Sequence, residues 1–168
     1  MIKRAIHIFP RFDNAEEIHC LRQKFDPLAN LIPPHLTLVY PFESDWSAEQ
    51  VQAHCQDVLQ GFQPFDLTLR GITGTPDWHL FLNVKRGNDE IIALHDRLYS
   101  GLLQPFLYRK VTFVPHLTVG HLTNVETFES SLAATQEFDH IFTCRVDEIT
   151  VEVIEPDESS TVEGTVRL

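Results

Sequence analysis

Hydrophobic residues recur along the chain with two different periods, which predicts strands alternating with helices. An apolar period of two indicates strands, over residues 3–9, 35–40, 65–73, 78–84, 111–119, 141–144, 148–154 and 161–167. A period near 3.6 indicates helices, over residues 14–25, 47–59, 88–99 and 125–135. The paired strands in each half and the lack of a linker-like segment predict one domain, residues 1–168, of α+β or split α/β class with two similar lobes, and α+β is the class adopted here.

Local signals set the expected borders of these elements. Ser47, followed three residues later by Gln50, predicts a capping box at the start of the second helix. Asn88 is expected to cap the third helix, and Pro41 is expected to end the second strand. Trp78 is expected to face the core as the first residue of a strand that follows the turn at residues 74–76.

Composition narrows the classes of function. The net charge of −11 repels long polyanions, because binding a long nucleic acid requires many Lys and Arg contacts to phosphate. Binding of a small phosphate ester in a local pocket is still compatible with this negative net charge. No apolar stretch approaches the roughly 20 residues that cross a bilayer, and no signal peptide is seen. Cys20, Cys55 and Cys144 form no metal or disulfide pattern, so we expect reduced thiols and a cytoplasmic protein.

A repeated motif carries the candidate chemistry. Residues 34–38 read Pro-His-Leu-Thr-Leu, and residues 115–119 read Pro-His-Leu-Thr-Val. Side chains alternate in an extended strand, so a histidine and a threonine two positions apart share one face, while the leucines pack on the other. His35 is thus expected to project together with Thr37, and His116 together with Thr118.

Two such pairs facing each other across a cleft would suit general acid–base chemistry, because imidazoles titrate near neutral pH. The threonine hydroxyls could hold phosphate oxygens where charge develops. Either histidine alone would more often be a polar strand end, but two copies in matching context favour a functional site. Zinc is a weaker alternative, because two histidines without a nearby acid or cysteine give too few ligands, and His121 has the opposite strand parity to His116.

The paired H-x-T-x motifs resemble those of the two-histidine phosphoesterases, the superfamily of LigT-like 2′-5′ RNA ligases and 2′,3′-cyclic phosphodiesterases. The resemblance covers nearly the whole chain, and it implies a duplicated bilobal fold in which two antiparallel sheets flank a central cleft with helices outside. It further implies that His35 and His116 form the acid–base pair and that Thr37 and Thr118 bind phosphate. Where members of this family often carry Arg or Lys after the second motif, this chain has His121.

The activity that the resemblance implies is metal-independent hydrolysis of a cyclic phosphodiester, without a cofactor. Its substrate would be the 2′,3′-cyclic phosphate of a nucleotide or a short RNA end, converted to a 2′-phosphate by a monomer that binds neither long nucleic acid nor membrane. A non-catalytic nucleotide or RNA-end binding module is the alternative, and a purely structural domain with a fortuitous repeat is a third. The sequence leaves open which histidine is the acid and whether ligation occurs.

Strand parity nominates further residues for the cleft. His7 and Phe9 alternate with core residues in the first strand, as do Arg70 and Phe81 in later strands. Phe9 or Phe81 could stack on a base or ribose, and Arg70 could supply the cation missing after the second motif. The alternative is that these are solvent-facing strand residues.

Overall fold

The computed structural model describes all 168 residues and contains eight strands and four α-helices. The strands are β1 (Ile2–Ile8), β2 (Leu36–Ser44), β3 (Phe65–Gly74), β4 (His79–Arg86), β5 (His116–His121), β6 (Phe142–Val146), β7 (Glu148–Ile154) and β8 (Ser160–Arg167). The helices are α1 (Ala15–Phe25), α2 (Ala48–Val58), α3 (Asn88–Leu98) and α4 (Val125–Ala134), with a short 3₁₀ helix at Gly101–Phe106. None of the helices is long and apolar enough to cross a membrane.

The strands form two separate four-stranded antiparallel sheets. The first sheet has the order β2-β1-β7-β8, and the second has the order β5-β4-β3-β6. The first sheet therefore combines the two ends of the chain, whereas the second is built from its middle. Two antiparallel sheets with helices confirm the α+β class that the sequence predicts.

Two helices cross from one sheet to the other. Helix α1 connects β1 with β2 but packs against β5 of the second sheet, and α3 connects β4 with β5 but packs against β2 of the first sheet. Helices α2 and α4 pack on β8 and β3, respectively. The two sheets are thus tied together by exchanged helices, and the two sequence halves are not separate packing units.

The apolar faces of the motif strands form part of a continuous core. Leu36 and Leu38 of β2, and Leu117 and Val119 of β5, are at most 1% exposed, as the alternation predicts. Burying a side chain of this size contributes about 1.5–3 kcal/mol. Their burial fixes the register of both motif strands, because a slip of one residue would turn these side chains outward.

Several borders differ from the sequence expectation. Strand β2 continues through Pro41 to Ser44, which is tolerated because β2 lies at a sheet edge and Pro41 falls at an irregularity in its pairing with β1. Strand β5 begins only at His116, directly after Pro115, which has no N–H for a strand hydrogen bond. Trp78 is not in the core: it lies in the preceding turn, with φ of 66°, and is 37% exposed.

Of the two helix caps predicted from the sequence, the structure contains the one at α2 but not the one at α3. The capping box is confirmed, since the Gln50 N–H donates to Ser47 Oγ and the Ser47 N–H donates to Gln50 Oε1. Asn88 does not cap α3. Gly87 occupies that position with φ of 99°, a left-handed conformation that favours glycine, and the Asn88 amide instead donates to the carbonyl of Val84.

Candidate active site

The two motifs lie at the junction between the sheets. His35 directly precedes β2, and His116 is the first residue of β5. Each of these strands is the edge strand of its sheet, and the two edges contact each other. The structure therefore brings the two copies of the repeat together from positions 81 residues apart in the chain.

Both imidazoles are held in the same way. The Nδ1 atom of His35 lies 2.9 Å from the carbonyl oxygen of Pro33, and that of His116 lies 2.6 Å from the carbonyl oxygen of Val114. A carbonyl only accepts, so Nδ1 of each ring carries the hydrogen. In the neutral ring the lone pair is then on Nε2, which is the atom left to exchange protons with a ligand.

The surroundings of both rings favour their neutral forms. Burial, together with the nearby charges of Arg22 and His116, lowers the pKa of His35 from 6.5 to about 4. Burial and the charge of His79 also lower the pKa of His116. The charge of one motif histidine thus contributes to the pKa of the other, as expected for two groups that share one site.

Each motif histidine packs against an aromatic ring from the neighbouring strand. His7 of β1 is paired with Thr37, and its ring centroid lies 4.5 Å from that of His35 at an angle of 64°. Phe81 of β4 is paired with Thr118, and its ring stacks on His116 at 3.6 Å and 17°. His7 and Phe81 are therefore equivalent positions of a duplicated arrangement.

The other predicted site residues differ in how they relate to the motif histidines. Thr37 and Thr118 are partly exposed on the strand faces that carry the motif histidines. The Phe9 ring lies 6.1 Å from that of His35. Arg70 donates two hydrogen bonds, of 2.6 and 2.7 Å, to the carboxylate of Asp139. The guanidinium of Arg70 is therefore paired with the carboxylate of Asp139, and its role toward a substrate stays a prediction.

A buried arginine organises the segment that leads to His35. Arg22 of α1 is 1% exposed and donates to Asp26 Oδ2 at 2.7 Å and to the carbonyl of Ile32 at 2.9 Å. These bonds fix the loop just before Pro33, whose carbonyl orients the His35 ring. The next turn of the same helix packs Phe25 against Gly120 of β5. Helix α1 thus contacts the segments that carry both motifs.

Two further groups lie near the site. Strand parity places His79 on the same face of its strand as Phe81, whereas Glu152 was not found from the sequence. The ring of His79 stacks on that of His121 at 4.0 Å and 8°, and its Nδ1 lies 3.1 Å from Asp77 Oδ2. Glu152 of β7 is 2% exposed and lies 3.6 Å from His7. An acid between two valines, Val151 and Val153, is the signal that could have identified Glu152. No group of three or more His, Cys, Asp or Glu side chains is arranged to hold a metal ion.

Comparison with known proteins assigns the family. Residues 10–158, which include both motifs, match the model of the 2′-5′ RNA ligase superfamily. A Bacillus pumilus protein named "Putative phosphoesterase" is 32% identical over 120 residues, which cover 70% of this chain and 69% of that protein. A Bacillus cereus protein of the same name is 31% identical over 122 residues, covering 71% and 69%.

Solved structures share the fold. Escherichia coli LigT complexed with 3′-AMP superimposes with a TM-score of 0.67 and 19% identity, covering 99% of this chain and 98% of LigT. A crystal structure described as a phosphoesterase gives a TM-score of 0.65 at 19% identity, covering 100% and 99%. The chain belongs to the 2′-5′ RNA ligase superfamily, and the family resemblance of the twin motifs is confirmed. The family and its relatives support a phosphoryl-transfer enzyme.

Proposed function

We propose that the protein hydrolyses a 2′,3′-cyclic phosphodiester to a 2′-phosphate, with His35 and His116 as a metal-independent acid–base pair. The supporting observation is the matched geometry of the two rings. Both stand at the contacting edges of the two sheets, and both donate from Nδ1 to a carbonyl, which leaves Nε2 of each for the substrate. Because each sheet supplies one histidine, residues 1–168 act as one functional domain.

The proposed reaction uses both Nε2 atoms. One neutral imidazole takes a proton from water as the water oxygen bonds to phosphorus, and the other, protonated imidazole gives its proton to the O3′ atom as the P–O3′ bond breaks. The hydroxyls of Thr37 and Thr118 donate hydrogen bonds to the non-bridging oxygens, where negative charge develops. Exchange of protons with solvent restores the starting state of the pair.

This chemistry requires one charged and one neutral ring, whereas burial favours the neutral form of both. A bound phosphodiester brings a negative charge, which raises the pKa of any imidazole beside it. Substrate binding would therefore promote uptake of the proton that the acid step needs. The stacked face of Phe81 also suits a charged His116 ring, because an aromatic face attracts a cation.

A small substrate fits the charge of the protein. The net charge of −11 disfavours an extended polyanion, and a nucleotide or a short RNA end presents few phosphates. LigT, which shares the fold, has been crystallised with 3′-AMP, which supports a nucleotide-sized ligand for this chain. Phe9, near the His35 ring, is the candidate to stack on a base or ribose.

Turnover of 2′,3′-cyclic nucleotides in the presence of EDTA tests the proposal. We expect hydrolysis by the wild type and a loss of about 10²–10⁴-fold for His35→Ala and for His116→Ala, the usual contribution of an acid or base. His140→Ala, which removes an exposed histidine, is the matched control and should retain activity. Full activity in either motif variant would refute the assigned chemistry. Nucleotide binding without any turnover would instead identify a non-catalytic binding module.

A further inference from the structure

A buried polar pair lies directly behind His35. His7 is 4% exposed and Glu152 is 2% exposed, and His7 Nε2 lies 3.6 Å from Glu152 Oε2 across the neighbouring strands β1 and β7. The His7 ring also contacts that of His35, with 4.5 Å between centroids. The carboxylate, the His7 ring and the His35 ring are therefore in sequential contact from the interior to the site.

The position equivalent to His7 beside the second motif histidine, His116, is apolar. Packing against a motif histidine therefore does not require a polar side chain. Phe81, equivalent to His7, stacks on His116 with a ring that has no hydrogen-bonding atom. Burying a polar group without a full set of partners costs stability, and here Nδ1 of His7 and Oε2 of Glu152 are buried without a hydrogen bond. An imidazole and an acid at this position therefore need a reason other than filling space.

Both groups are more stable uncharged at this depth. Burial lowers the pKa of His7 well below its ordinary value and raises the pKa of Glu152. With the proton on the Glu152 carboxyl group, both residues are neutral, and the acid can still face the His7 ring as a hydrogen-bond donor. A neutral, directional pair suits the orientation of a neighbouring ring better than the binding of an ionic ligand.

We propose that His7 and Glu152 are positioning residues for His35, an inference that rests on the proposed function of this site. Glu152 sets the rotation of the His7 ring, since a small movement brings their facing atoms within hydrogen-bond distance. The edge-to-face contact with His7 then holds the His35 ring, so that Nε2 points to the substrate while Nδ1 donates to Pro33. Neither residue exchanges a proton with the substrate.

Steady-state kinetics of Glu152→Leu, Glu152→Gln and the double variant His7→Phe/Glu152→Leu on a 2′,3′-cyclic nucleotide test this role. The double variant copies the apolar arrangement around His116 and avoids leaving a buried acid unpaired. We expect Glu152→Leu and the double variant to lower kcat about ten- to a hundredfold, with KM within about twofold, because misorientation affects the reacting geometry. Glu152→Gln, which retains a hydrogen-bonding group, should recover most of kcat. Glu155→Gln, an exposed change beyond the end of β7, is the control.

Two outcomes would overturn the proposal. Unchanged kcat in both Leu-containing variants, with only a lower melting temperature, would show a purely structural role. An increase in KM with kcat intact would mean that His7 binds substrate. If the wild type has no turnover, the proposed function fails, and the NMR contact between the His7 and His35 rings still tests positioning. That contact should be strong in the wild type and weakened in Glu152→Leu, and an identical contact in both would refute the inference.

Discussion

Replacing His35 with asparagine should make the protein more tolerant of acid. Asparagine keeps an amide N–H that can donate to the Pro33 carbonyl, but it does not titrate. The folded state holds His35 at a pKa of about 4, whereas the unfolded chain has the ordinary value of 6.5. As the pH falls below 6.5, the unfolded chain therefore takes up this proton first, and the wild type loses stability.

The size of the effect follows from the two pKa values. Between about pH 8 and pH 5, a histidine with these values removes about 2 kcal/mol from the free energy of unfolding, and about 3 kcal/mol once the pH is below both. The His35→Asn variant does not lose this part of the free energy of unfolding, because asparagine does not titrate. Relative to the wild type it should therefore gain about 2 kcal/mol between the two pH values, whatever its stability at pH 8.

Urea unfolding of both proteins at about pH 8 and pH 5 measures this difference, and the comparison cancels groups that titrate equally in the two proteins. His19→Asn, at an exposed position of α1, controls for the loss of a surface histidine. A wild-type-minus-variant difference that is the same at both pH values would refute the conclusion that His35 is held neutral by its surroundings.

Two further predictions concern the packing. Gly120→Ala should lower the free energy of unfolding by about 1–3 kcal/mol, because the new Cβ would lie 2.9 Å from the Phe25 Cβ and 3.1 Å from a Leu80 methyl. Urea unfolding measures this change, and an unchanged midpoint would contradict the contact between α1 and β5. Burial raises the pKa of the Cys55 thiol to about 12, so Cys55 should resist iodoacetamide in the folded protein at pH 8 while the exposed Cys20 reacts. Mass spectrometry follows the labelling, and equal labelling of both thiols would show that Cys55 is accessible.

The sequence alone determined the local features of this protein. The two hydrophobic periods predicted all eight strands and all four helices, because alternation depends on near neighbours in the chain. The Ser47 capping box was predicted for the same reason. The twin motifs also identified the family, since their residue types and spacing are local information.

Only the tertiary structure decided which distant residues meet. Helices α1 and α3 pack on the sheet opposite to the one suggested by their place in the chain. Arg70 pairs with Asp139, 69 residues away, and the acid near His7 comes from β7. Local periodicity gives the face on which a side chain lies but not its partner on that face. The partner depends on strand order and on the burial of the whole core, which are long-range properties of the fold.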